Sequence, residues 1–114
     1  MDSEILNIFS LVYVLELEND KYYVGVTTNL NLRYCQHVTG RGGAKWTRLH
    51  KPLRILSVEV GDRKVEREKT LEMMREHGWQ NVRGGGWSQV NLKKPQPLRE
   101  KCFPEKSTTL SAST

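Results

Sequence analysis

The sequence predicts an α+β fold, a small three-stranded antiparallel sheet flanked by helices. Two runs rich in β-branched and aromatic residues, "SLVYVLE" at 10–16 and "YYVGV" at 22–26, are separated by the turn-forming "ENDK", the signature of a hairpin. A third run, "LRILSVEV" at 53–60, alternates as a strand does. Segments with helix start and stop signals lie between and after these runs, which gives helices packed on a sheet.

After the hairpin, "TTN" at 27–29 offers N-cap side chains for a helix from about Leu30 to Val38. Leu30, Tyr34 and Val38 recur every four residues and are expected to face the core. "TGRGG" ends that helix, and "AKWTRLH" at 44–50 has room for a short one before Pro52 stops it. "DRKVEREKTLEMMREHG" at 62–78 combines strong helix formers with a terminal glycine. "NVRGGGWSQVNL" is glycine-rich and loop-like, with a short strand expected at 87–91. Beyond Leu92 come three of the four prolines, and six of the last eight residues are Ser or Thr. The chain therefore divides into one domain at 1–92 and an extended or disordered tail at 93–114.

At 114 residues the chain can build one modest core. No apolar stretch approaches the ~20 residues of a membrane helix. "MDSEILNIFS" carries acids where a secretory signal carries Lys or Arg. Cys35 and Cys102 lack metal-type spacing, so reduced, unpaired thiols and an intracellular setting are expected, cytoplasmic or nuclear according to the host. The net charge is +5. From Lys21 to Ser57 there are seven Lys or Arg, two His and no acid. A one-signed block of this kind fits either a polyanion partner or a solvated basic face.

Tyr13 and Tyr23 fall on adjacent antiparallel strands and can stand side by side over a common site, although strands also favour Tyr for packing alone. Arg33 and His37 are one helical turn apart, beside the apolar stripe. A guanidinium there can hold a phosphate, and an imidazole can bond a tyrosine hydroxyl or carry a proton; an exposed Arg and a half-buried His are the plainer alternative. Glu66 and Glu68 open the third helix, where acids also simply suit the helix dipole. One inward carboxylate there can bind a divalent cation, and no second carboxylate pairs with it for a two-metal site. No phosphate-binding glycine loop, serine nucleophile elbow or Cys/His zinc set is present.

In order, these elements resemble the GIY-YIG nuclease family, as a small stand-alone member. The triplets that name the family read "LVY" at 11–13, without its glycine, and "YVG" at 23–25. "NLNLRYCQH" is similar to that family's Arg-x-x-x-His helix, and "AKWTRLHKP" and "EREKTLEMMREHGWQNVRGG" resemble its later segments. The resemblance covers about residues 10–90.

The resemblance implies a three-stranded antiparallel sheet with helices, and cleavage of DNA phosphodiesters with one Mg²⁺ or Mn²⁺, in DNA repair or mobile elements. It implies that Tyr13 is the base that activates water, with His37 as its helper. Tyr23 would orient that water or contact the phosphate, and Arg33 would stabilise the growing charge. Glu66 or Glu68 would hold the metal. Gly25 would allow close packing beside the tyrosines, and Asn81 would orient site groups or simply serve a turn. A free tyrosine titrates near ~10, so a metal, Arg33 and His37 are expected to favour its phenolate.

Lys21, Arg41, Lys45, Arg48 and Lys51 are the expected DNA contacts. Trp46, Trp79 and Trp87 can stack on unpaired bases or fill the core. No recognition helix stands out, so structure-selective or low-specificity binding is expected, by a monomer or a dimer. Two alternatives remain at this point: a DNA-binding module of the same fold without cleavage, and a basic interaction module whose tail binds another protein.

Overall fold

The computed structural model describes residues 9–99. Strands β1 (Leu11–Leu17), β2 (Lys21–Thr27), β3 (Pro52–Val60) and β4 (Val82–Gly84) form one sheet in the order β3-β1-β2-β4. Helices α1 (Leu30–Thr39), α2 (Lys45–Leu49), α3 (Arg63–His77) and α4 (Gln96–Arg99) accompany it. β1 pairs antiparallel with both β2 and β3, whereas β4 runs parallel to β2. The sheet is thus four-stranded and mixed, not three-stranded and antiparallel as expected. The additional strand is Val82–Gly84, upstream of the segment expected to be extended, where Trp87 makes only an isolated bridge to Gly84. Three residues that include an Arg and a Gly carry too little β pattern to announce a strand. Pairing with β2, after the α3 crossover, makes them one.

The β1–β2 turn places Asn19 and Asp20 at φ 64° and 58°, a left-handed conformation that Asn and Asp tolerate best among residues with a side chain. Asn29 caps α1 by accepting from the Leu32 amide at 3.1 Å, and Gly40 ends it at φ 80°. Asp62 caps α3 by accepting from the Lys64 and Val65 amides.

The sheet separates two cores. On one face Val12, Val14, Val24 and Val82 meet Met73 and Met74 of α3, with Trp79 and Trp87 packed alongside. On the other, Tyr13, Leu15, Leu17 and Tyr23 meet Trp46 of α2, with Leu30, Tyr34 and Ile55 around them. β3 is an edge strand whose register against β1 shifts twice, and Leu53, Leu56, Val58 and Val60 are exposed along it.

Two further expectations are corrected. Leu30 and Tyr34 face inward, but Val38 is exposed and His37 takes the buried position instead. The segment 93–99 of the expected tail is not wholly extended: it carries α4, and Leu98 packs against the α3-side core. The remainder of the tail, 100–114, lies outside the described residues, as do residues 1–8 and Cys102. Cys35 is free and exposed. Among the described residues, no helix is long and apolar enough to cross a membrane.

Candidate active site

The β1–β2 register sets Tyr13 opposite Gly25 and Leu15 opposite Tyr23. Residues two apart on a strand share a face, so both phenols project toward α1. Their ring centroids are 6.4 Å apart, and the His37 ring lies 5.8 Å from Tyr13 and 5.0 Å from Tyr23. Gly25 makes the arrangement possible: a Cβ there would overlap the phenol oxygen and ring of Tyr13. The Tyr13 ring lies across β2 at the one point where that strand has no side chain on this face.

A chain of hydrogen bonds fixes the protons. The Thr47 hydroxyl donates to the Ala44 carbonyl at 2.9 Å. Its oxygen therefore accepts from His37, whose Nδ1 lies 3.0 Å away and carries the proton. Nε2 is left as an acceptor, and the Tyr13 hydroxyl donates to it across 2.8 Å. Burial, and then the charge of Arg33, pushes His37 from 6.5 down to about 4. The imidazole is neutral near pH 7 and can receive a proton.

Burial raises Tyr13 well above the ordinary phenol range; Tyr23 adds to the rise, and Arg33 offsets part of it. Tyr23 is raised by burial as well, again opposed by Arg33. Desolvation thus outweighs the guanidinium in this structure, and both phenols are protonated at neutral pH.

Arg33 is half-buried, and its Nη1 donates to Gln36 Oε1 at 2.9 Å and to the Gly42 carbonyl at 2.8 Å. It lines a cleft with Tyr23, Ala44, Lys45 and the segment 88–91. Glu66 is 8% exposed, and its charge is felt at both phenols. β4 ends at Gly84 opposite Val24, so its pairing with β2 stops one residue short of Gly25. Burial raises Glu66, while the Arg63 charge and a hydrogen bond from the Gly85 backbone lower it. Glu68, two residues further along α3, is exposed and is not brought to the tyrosines.

The expected DNA contacts divide. Arg41, Lys45, Arg48 and Lys51 are exposed around α1 and α2; Arg48 also donates to the Gly43 carbonyl at 2.7 Å. Lys21 is tied to Asn81 Oδ1 at 2.9 Å, and Asn81 donates in turn to the His77 carbonyl at 2.8 Å. Asn81 therefore clamps the start of β2 to the end of α3 rather than touching the tyrosines. Trp46 is buried, with its indole donating to the Tyr22 carbonyl at 3.0 Å.

Two residues were not anticipated. Thr47 carries no local signal beyond a hydroxyl in a short helix. Arg83 is 4% exposed, an arginine in a three-residue strand between Val82 and a glycine run.

Glu66 is a buried carboxylate held by a backbone amide, and among the described residues no cluster of three or more His, Cys, Asp or Glu forms. Mg²⁺ commonly takes one or two carboxylates from a protein, with waters and substrate phosphate completing its shell.

Comparison with known proteins places the chain in a family. A UPF0213 protein of Cupriavidus necator is 41% identical over 65 residues, which span 56% of this chain and 70% of that protein. A UPF0213 protein of Natronomonas pharaonis is 38% identical over 66 residues, 58% of this chain and 71% of that one. One from Syntrophus aciditrophicus is 27% identical over 78 residues, 58% of this chain and 90% of that one. No solved structure matches. The family model described as the GIY-YIG catalytic domain matches residues 9–85, the segment that holds both tyrosines, Arg33, His37 and Glu66, and the chain belongs to the GIY-YIG family.

Proposed function

We propose that this chain is a divalent-metal-dependent DNA endonuclease that hydrolyses phosphodiester bonds, with Tyr13 and His37 moving the proton of the attacking water. The proton path from Tyr13 through His37 to Thr47 supports this most directly. A buried phenol is a poor base by itself, but its proton already points at a neutral imidazole nitrogen 2.8 Å away. As water attacks phosphorus, Tyr13 Oη takes the water proton while passing its own to His37 Nε2. The new bond joins the water oxygen to phosphorus, the bond to the leaving alkoxide breaks, and solvent protonates that alkoxide. Tyr23 orients the water or contacts the phosphate. Arg33 stabilises the charge that grows on the phosphate oxygens, a role commonly worth ~10²–10³ in rate.

Glu66 would hold the Mg²⁺ or Mn²⁺, which supplies Lewis-acid polarisation of the phosphate when bound. Arg41, Lys45, Arg48 and Lys51 supply sequence-independent attraction to the DNA backbone.

The test is nicking of supercoiled plasmid and of branched or flapped oligonucleotides with Mg²⁺, Mn²⁺ or EDTA. Metal-dependent nicking is expected. Salt-sensitive binding without any nicking would favour the alternative, a DNA-binding module of this fold that does not cut.

A further inference from the structure

The proposed proton transfer leaves a positive charge without a partner. When His37 Nε2 takes the proton of Tyr13, the ring becomes an imidazolium, and His37 is 1% exposed. A buried cation forms readily only beside an opposite charge. The groups around the ring are Tyr13 and Tyr23 of the sheet, Thr47 of α2 and Arg33 of α1. None of them is negative at neutral pH, and the Arg33 charge opposes a second proton. The stretch from Lys21 to Ser57, which supplies both helices, contains no acid.

A cavity of about 260 Å³ is lined by His37 and Thr47, by Thr39 and Gly40 at the end of α1, and by Arg48 and Lys51. No carboxylate lines it. A water molecule takes about 30 Å³ of liquid volume, so a tetrahedral anion and a few waters fit. Arg48 lies along Gly40, its Cγ 3.6 Å from the place a Cβ would take, and its Nη1 donates to the Gly43 carbonyl at 2.7 Å. Its other guanidinium nitrogens and the Lys51 ammonium make no hydrogen bond and no ion pair among the described residues. Glu18 accepts from the Lys51 backbone amide at 3.2 Å and does not line the cavity.

We infer that this cavity holds a phosphate-class anion on Arg48 and Lys51, the counter-charge to the imidazolium that His37 becomes during turnover. The role as counter-charge rests on the proposed nuclease activity; the cavity and its two cations do not. Arg and Lys with spare N–H donors and no competing carboxylate suit phosphate oxygens. A negative charge near an imidazole favours its protonated form. The same chemistry has two sources, a free phosphate ion or a phosphodiester of the bound DNA. In the second case the substrate itself completes the proton path, and Arg48 and Lys51 have a task beyond general attraction to the backbone.

The test titrates inorganic phosphate into the full chain in EDTA, replacing chloride at constant ionic strength, and follows the NMR signals of the backbone amides of 37–51 and of the His37 ring. The ring signal is identified by its loss in His37→Gln. Phosphate is expected to shift Gly40, Thr47 and the ring saturably. The double variant Arg48→Met/Lys51→Met, at exposed positions and with both aliphatic stems kept, should bind at least about tenfold more weakly, the worth of one hydrogen bond to a charged group. An uncleaved duplex in EDTA then separates the sources. A duplex that moves the ring as phosphate does, and leaves added phosphate without effect, assigns the anion to DNA. A duplex that leaves the ring in place, with phosphate raising kcat in Mg²⁺, assigns it to the free ion. No saturable shift with either, or equal shifts in the double variant, overturns the anion site and leaves the nuclease activity standing where the wild type nicks. Phosphate that binds saturably to a wild type that does not nick leaves the anion site standing, and the nuclease activity falls.

Discussion

The hydroxyl of Tyr13 lies 2.8 Å from Nε2 of His37, and both residues are 1% exposed. The two come from different elements, β1 and α1, and Thr47 of α2 decides which partner donates. Much of the site's expected behaviour follows from that pair.

Thr47 is predicted to be a positioning residue. Thr47→Val removes the acceptor of His37 Nδ1–H and frees the ring to take the other tautomer, which cannot accept from Tyr13. Nicking should fall about tenfold, the worth of one hydrogen bond of ~1.4 kcal/mol. The loss should lie in kcat with KM retained, and Thr47→Ser should restore it. Steady-state kinetics on a nicked-plasmid assay separate this from a merely structural role, which Thr47→Ser would not selectively rescue.

His37 also sets a pH dependence of stability. Its folded value of about 4 lies below the ordinary 6.5, so the unfolded chain binds the proton more readily than the folded one. Stability is then fully present above pH 6.5 and is lost as pH falls from 6.5 toward about 4. At ~1.36 kcal/mol per pKa unit the loss amounts to about 3 kcal/mol. Urea titrations between pH 7 and 4 should show it, and His37→Gln should flatten the curve over that window.

The hairpin, the helices and the Tyr, Arg and His positions were legible because they rest on local patterns: β-branched runs around a turn, cap residues at 27–29, a run of helix formers ended by Gly78, and i, i+4 spacing. What remained hidden depended on distant partners. The apolar spacing of Leu30, Tyr34 and Val38 pointed Val38 inward. Instead α1 buries His37, whose two nitrogens are satisfied by Tyr13 and Thr47 from separate elements. β4 was hidden for the same reason, since Val82–Gly84 becomes a strand only by pairing with Tyr22–Val24 across the α3 crossover. That α3 buries Glu66 and exposes Glu68 depends on which of its faces meets the sheet, and a helix-start pattern alone does not fix that.

Glu66→Gln keeps the shape and removes the charge. Because burial already disfavours the carboxylate, the thermal midpoint should hold or rise slightly. Cleavage should fall by ~10² or more and require more Mg²⁺. Glu68→Gln should match the wild type in both respects. A Mg²⁺ titration of cleavage rate, with thermal melts alongside, checks the pair.

Gly25→Ala should damage fold and function together, because the new methyl group occupies the place of the Tyr13 phenol. Overpacking of this kind typically costs ~1–3 kcal/mol. The displaced hydroxyl should also lose its bond to His37, so nicking should fall even where the variant is fully folded. Denaturant midpoints and activity measured well below the melting temperature separate the two effects.

The central claim is that the Tyr13 oxygen takes the proton of the attacking water. The most direct measurement is the single-turnover nicking rate of supercoiled plasmid by Tyr13→Phe and by wild type, with saturating Mg²⁺ and an EDTA control. The account predicts metal-dependent nicking by the wild type and a loss of ~10²–10⁴ in Tyr13→Phe, the range for a general base. Unchanged DNA binding by the variant would localise the loss to chemistry. A Tyr13→Phe protein that nicks within a few-fold of the wild type would contradict it.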